Sequence, residues 1–142
     1  MRPSVDEYFL RMAELVATRS TCVRRSVGCV LTDEHHHVLA TGRNGVASGL
    51  PHCHEQRCPG ADLPSGQGLH LCEAIHAETN ALVQCRDVDR IHTVYCTASP
   101  CVHCMRLILG TGAKRIVFRT EYPHAESERL ATSAGIEWRR QE

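Results

Sequence analysis

The chain of 142 residues has little with which to hold a polynucleotide. Sixteen basic side chains are matched by sixteen acidic ones, so no net positive field draws in a phosphate backbone. Aromatics are sparse: two Phe, one Trp and three Tyr. That is too few for a platform on which single-stranded bases stack. No apolar run approaches the roughly 20 residues of a membrane span. The opening stretch "MRPSVDEYFLRMAELVATRS" carries charge at every turn, unlike a signal or transit peptide. A cytoplasmic, reducing setting is therefore expected (the host cytoplasm, for a viral source). Neither repeats nor linkers divide the chain, and its length suits one domain over residues 1–142. Cysteine and histidine, by contrast, are plentiful, at nine and ten. In a reducing compartment that richness argues for metal ligation over disulfides.

Periodicity outlines the elements. Ser4 suits a helix cap, with Asp6 and Glu7 in the first turn. Val5, Phe9, Met12, Leu15 and Val16 then recur at helical spacing, predicting a helix to about Thr18. "SVGCVLTD" and "HVLATGR" read as strands of a hairpin, and the histidines of the intervening "DEHHH" as a solvated turn. Residues 44–70 are rich in Gly, Pro, Ser, Cys and His. So long a loop needs a staple or a ligand. A helix from about Glu73 to Cys85 follows, then the strand "IHTVYCT". "SPCVHCMRLILGTG" is a helix with a proline near its first position and glycines at its end. The strand "AKRIVFR", the helix "HAESERLATSAG" and the strand "IEWRRQ" complete the chain. This alternation implies an α/β sheet covered by helices, with parallel or mixed pairing at the later strands.

One stretch resists a purely structural account. "AIHAETNALV" opens a helix with His76 and Glu78, which add no apolar area and are costly to bury unpartnered. Further on, Cys101 and Cys104 of "SPCVHCM" stand three apart at a helix start. There the dipole lowers thiol pKa toward the thiolate that metals bind. Two thiolates and one imidazole form an open zinc site with its fourth position left for water. His76 and Glu78, two apart, diverge by about 200° on a regular helix. The ion must therefore sit off the helix end, with the tips of two helices facing it. H-x-E…P-C-x-x-C is the pattern of zinc-dependent nucleobase deaminases, in which the glutamate moves protons and does not ligate.

Longer phrases narrow the comparison. "RSTCVRRSVGCVL", "ATGRNGVASGLPHC", "IHAETNALVQC", "SPCVHCMRLILGTGAKRIVF" and "EYPHAESERLATSAGIEW" together resemble the deoxycytidylate (dCMP) deaminases of the cytidine deaminase superfamily, of microbial or phage type. The resemblance runs through nearly the whole chain. It implies a three-layer α/β fold with a five-stranded mixed sheet and helices on both faces. It also implies hydrolytic deamination of dCMP to dUMP and ammonia, which supplies thymidylate synthesis. His76, Cys101 and Cys104 match the zinc ligands and Glu78 the proton shuttle. Asn44 matches a residue at the sugar or base edge, although Asn-Gly is also a turn signal. Ala77, Ser99 and Pro100 fall where the base pocket is lined, and Tyr122 near the sugar-phosphate. Arg25 and Ser26, beside Arg24, are candidates for the 5′-phosphate, or else a solvated surface. Such enzymes are commonly hexamers, activated by dCTP and inhibited by dTTP with Mg²⁺. The matching segment here is Gly42, Arg43 and Gly45, with Arg24. Two departures stand out: Arg43 replaces a usual tyrosine, and Thr79 follows the glutamate. Both are expected to leave the chemistry untouched.

Seven cysteines remain. Cys29 and Cys96 fall in strands and Cys85 on a helix, where thiols behave as small apolar groups. Cys22, Cys53, Cys58 and Cys72 border the long loop. Some microbial and phage members of the resembling family carry a structural zinc there, with His54 or His70 as substitute ligands. Two other readings stay open: a deaminase acting on dCTP, cytidine or a tRNA base, and a non-catalytic metal-binding module.

Overall fold

The computed structural model describes residues 1–22, 25–52, 62, 64, 75–122 and 125–142. Cys53, His54, Cys58, His70, Cys72 and Arg24 lie outside the described residues, so the expected second metal and one of the expected effector contacts do too.

Among the described residues, four helices and five strands run in the order α1 (Val5–Ala17), β1 (Gly28–Thr32), β2 (Val38–Arg43), α2 (Ala77–Gln84), β3 (Thr93–Ala98), α3 (Val102–Leu109), β4 (Arg115–Thr120), α4 (Ala125–Ser133) and β5 (Glu137–Arg140). A 3₁₀ turn at Val88–Arg90, not anticipated from sequence, leads into β3. The strands lie in the order β2-β1-β3-β4-β5. β1 pairs antiparallel with β2 and β3, whereas β3–β4 and β4–β5 are parallel. The sheet is mixed and five-stranded, as the resemblance implies.

Side-chain alternation separates the two faces. Val30, Tyr95 and Val117 point to α1, where they meet Phe9, Leu10 and Ala13. Cys29, Leu31, Val94, Cys96, Ile116 and Phe118 point the other way, to Ala77 and Ala81 of α2, Met105 and Ile108 of α3 and Ala131 of α4. Every residue of β1 is buried because both faces are covered.

Two glycines let helices sit directly on strands. A Cβ on Gly28 would meet Ala13 O at 2.0 Å, and one on Gly42 would meet Ala77 O at 2.3 Å and Ala81 N at 2.4 Å. Gly42 therefore has a packing reason of its own, whatever else it touches.

Two local readings are corrected. α2 does not begin near Glu73. Ile75 forms an antiparallel bridge with Gly45, its N–H donating to Gly45 O at 2.8 Å. His76 is an extended N-cap, so a long-range backbone pair overrides the local helical pattern. Pro100 likewise precedes the cap of α3, which is Cys101. At the other end of α2, Cys85 is the C-cap and is buried. Among the described residues no helix is long and apolar enough to cross a membrane.

Carboxylates tie the frame together. Arg119 hydrogen-bonds Glu7 and brings the Glu7 carboxyl down to about 2; a hydrogen bond from Arg11 adds to the effect. Asp33 Oδ1 accepts the His35 and His37 amides at 2.9 Å each, which shapes the hairpin turn and also holds that carboxyl at about 2, with the His37 amide foremost. His35, His36 and His37 are exposed, as expected. Both depressed groups favour the fold fully above their unfolded values of 4.5 and 3.8, and that contribution is lost as pH falls toward about 2. Melting temperature should fall steadily over this window. Glu7→Gln should melt lower at neutral pH and show a flatter acid dependence, as calorimetry would measure.

Candidate active site

Helix ends bring three metal-binding side chains together. His76 caps α2 and Cys101 caps α3, with Cys104 one turn into α3. His76 Nδ1 lies 3.4 Å from Cys101 Sγ and 3.4 Å from Cys104 Sγ. All three donor atoms lie within 4.8 Å of one another. Zinc bonds of about 2.3 Å to sulfur and about 2.0 Å to nitrogen place tetrahedral donors about 3.5 Å apart, so the spacing fits that ion.

The electrostatics fit a cation as well. The Cys101 thiol is pushed down to about 3, foremost by a hydrogen bond from Cys104 and also by His76, against the opposing effect of burial. Cys104 moves the opposite way, because the two sulfurs share a proton and Cys104 is also buried. The Cys101 sulfur in turn raises the His76 pKa. The Cys101 thiolate is thus stabilised by protons held on Cys104 and His76, a service a divalent cation would perform for two thiolates and an imidazole.

Glu78 lies in the first turn of α2 and is 3% exposed. Burial raises its pKa above the ordinary carboxylate value. Its carboxylate does not belong to the three-donor cluster. A buried carboxyl with a raised pKa beside a metal-binding cluster is suited to accept and return protons.

The surrounding walls are polar at selected points. The Arg25 guanidinium lies 4.6 Å from the centre of the Tyr122 ring, a cation–π contact. Tyr122 in turn packs with Cys101 and Cys104. Ser99 is buried, and its Oγ accepts the Tyr122 amide at 2.6 Å. Ala77 and Pro100 are also buried, whereas Ser26 is exposed. Asn44, 5% exposed, clamps the segment before β1. Its Oδ1 accepts the Val27 amide at 2.8 Å and its Nδ2 donates to Arg25 O at 2.7 Å. Beneath the donors, Cys29 and Cys96 are register partners in β1 and β3 and fully buried. Their mutual hydrogen bond and burial keep Cys96 protonated, in keeping with an apolar role.

Residues 3–120 match the family model described as the cytidine and deoxycytidylate deaminase zinc-binding region. The chain belongs to this deaminase family. The matched span contains all three donors and Glu78. A deoxycytidylate deaminase of Mycobacterium phage D29 is 40% identical, over 84% of this chain and 98% of its own length. That of Saccharomyces cerevisiae is 41% identical over 96% of this chain, but only 44% of the yeast protein is covered. The chain thus spans less than half the length of this fungal relative. Among solved structures, the dCMP deaminase of cyanophage S-TIM5 in complex with dCMP and dUMP superposes with a TM-score of 0.79. It is 29% identical, with 99% of each chain covered.

Other members of the expected site are placed apart from the donors. Arg43 and Gly42 line a cavity of about 420 Å³ that also touches Arg19, Ala47, Ser48 and Asn80. Cys22 is half-buried, its amide donating to Ser20 Oγ at 3.3 Å. Thr79, expected to stand clear of the chemistry, puts its hydroxyl 3.7 Å from Cys104 Sγ. Helical periodicity carries no signal for that contact, because Cys104 lies on a different helix.

Proposed function

We propose that this chain hydrolyses dCMP to dUMP and ammonia, with zinc held by His76, Cys101 and Cys104. The observation that carries the reading is the buried, proton-competent Glu78 beside that three-donor cluster. Its near full-length likeness to phage dCMP deaminases supports the choice of substrate. When bound, zinc supplies the Lewis acidity that brings the pKa of water from 15.7 to about 7.

The chain's own groups do the rest. Glu78, as carboxylate, takes a proton from the attacking water while the oxygen bonds to C4 of cytosine. It returns that proton to ring N3. The second proton leaves the new C4 hydroxyl and passes through Glu78 to the exocyclic amine; the C4–N bond breaks with its electron pair going to nitrogen, the hydroxyl oxygen closes a C4=O bond, and ammonia leaves. Ala77, Ser99 and Pro100 line the base pocket. Arg25, held against Tyr122, faces the 5′-phosphate with Ser26 at the rim. Asn44 fixes the backbone that carries Arg25 and offers its remaining Nδ2 hydrogen to the sugar.

Regulation belongs to the same proposal. The cavity beside Gly42 and Arg43, with Gly45 near it and Arg24 outside the described residues, would take dCTP as activator or dTTP as inhibitor, with Mg²⁺. Arg19 and Arg43 supply charge there for phosphates. A structural zinc at Cys22, Cys53, Cys58 and Cys72, a hexameric assembly, a cytoplasmic location and a single domain over 1–142 complete the reading. The test is ammonia release from dCMP, dCTP, deoxycytidine and cytidine, each with and without dCTP or dTTP. The expected result is a clear preference for dCMP, raised by dCTP and lowered by dTTP. A preference for the nucleoside over its monophosphate would overturn the substrate assignment.

A further inference from the structure

We propose that Thr79 is a positioning residue of the metal centre: its hydroxyl hydrogen-bonds the Cys104 sulfur and sets how strongly that sulfur donates to the zinc. The inference rests on the ligation proposed above. Its observation is the 3.7 Å separation of Thr79 Oγ1 and Cys104 Sγ, which bridges α2 and α3.

Either atom can donate while Cys104 carries a proton. Once Cys104 is a ligand it is a thiolate, with no proton to give, so the direction is fixed and Thr79 must donate. A hydrogen bond to a ligating sulfur draws electron density away from the metal. The zinc is left more electron-poor and more able to acidify water. The arrangement is asymmetric. Cys101 faces His76 and the Cys104 backbone amide, whereas Cys104 faces His76 and a side-chain hydroxyl. Apart from the ligand His76, the partner of Cys101 is a backbone amide, whereas that of Cys104 is a hydroxyl that substitution can remove. Thr79 also stands one residue from Glu78 in the same first turn. A single short segment, His76 to Thr79, thus supplies a ligand, a proton carrier and a contact that tunes the opposite ligand. Groups outside the ligand shell typically alter metal affinity or activity by 10–100-fold.

The experiment compares wild type with Thr79→Val, which keeps the shape and removes the hydroxyl, with Thr79→Ala as a second hydroxyl-free variant and Thr79→Ser as the conservative rescue. Each is purified, its metal replaced by Co²⁺, and its thiolate-to-cobalt charge-transfer band recorded. Zinc content and steady-state kinetics with dCMP are measured in parallel. The expected result is a band at longer wavelength in the Val and Ala variants, because an unbonded thiolate gives up its electron more easily. kcat should fall about tenfold, the lower end of the range for such groups, with KM little changed and zinc retained. Thr79→Ser should restore both band and kcat. An identical band position in wild type, Thr79→Val and Thr79→Ala would overturn the assignment while leaving the ligand set standing. Absence of any thiolate band in the wild type would instead overturn ligation by Cys104, and this inference with it.

Discussion

Glu78→Gln should lower kcat for dCMP by roughly four orders of magnitude, the upper range for loss of a positioned acid–base group, while leaving the fold and the bound zinc in place. Glutamine matches glutamate in shape but has no proton affinity to use near neutral pH. Every proton in the proposed route, from water to N3 and then to the amine, passes through this one carboxyl. The fold has little reason to miss it. Glu78 is buried with its charged form disfavoured, so a neutral isostere removes a desolvation cost. The variant's melting temperature should equal or exceed that of wild type. Stopped assays of ammonia release, beside metal analysis and thermal melts, check both halves of the expectation. A variant that keeps its zinc and also keeps its rate within tenfold would refute the role given to Glu78. It would also revive the reading of the chain as a metal-binding scaffold that happens to share the fold.

Cys101→Ser should have the other large effect, with the opposite signature. A serine hydroxyl does not ionise near neutral pH, so the site is left with one thiolate and one imidazole. Zinc should be nearly absent from the purified variant, and deamination undetectable. Because binding to the folded state alone stabilises it by mass action, the loss should also appear as a lower melting temperature that added zinc raises in wild type only. Elemental analysis and melts with and without zinc test this. The two substitutions separate chemistry from assembly: one stops turnover with the metal present, the other removes the metal. Full zinc occupancy and a normal rate in Cys101→Ser would show that the ion is held elsewhere.

The elements of the fold and the core of the candidate site were legible in the sequence for different reasons. The helices and strands announced themselves through local periodicity, as in Val5, Phe9 and Met12 of α1 or the unbroken apolar run of β1. His76, Glu78, Cys101 and Cys104 were readable because their residue types are expensive for a helix end unless they perform chemistry. What escaped were pairings between distant segments. The Ile75–Gly45 bridge moves the start of α2, and no local pattern marks it. Thr79 reaches Cys104 across a helix boundary. The double clamp of Asn44 on the Arg25 and Val27 backbone needs the hairpin folded before it exists. The same holds for Tyr95 and Arg115 converging on Asp6 from two strands. Each is a contact whose partner is fixed by topology, and topology is not written in any single window of residues.

The contact of Gly42 with α2 has a consequence for how the chain can vary. An added methyl group there would demand about 1 Å of retreat, from 2.3 Å toward the 3.4 Å of ordinary contact. The retreating turn begins at Ala77, between the imidazole and the acid. An error of that size can slow a reaction about a hundredfold without unfolding anything. Position 42 is thus a blank that sets the aim of its neighbours: a residue with no functional group holds the tolerance of the whole machine.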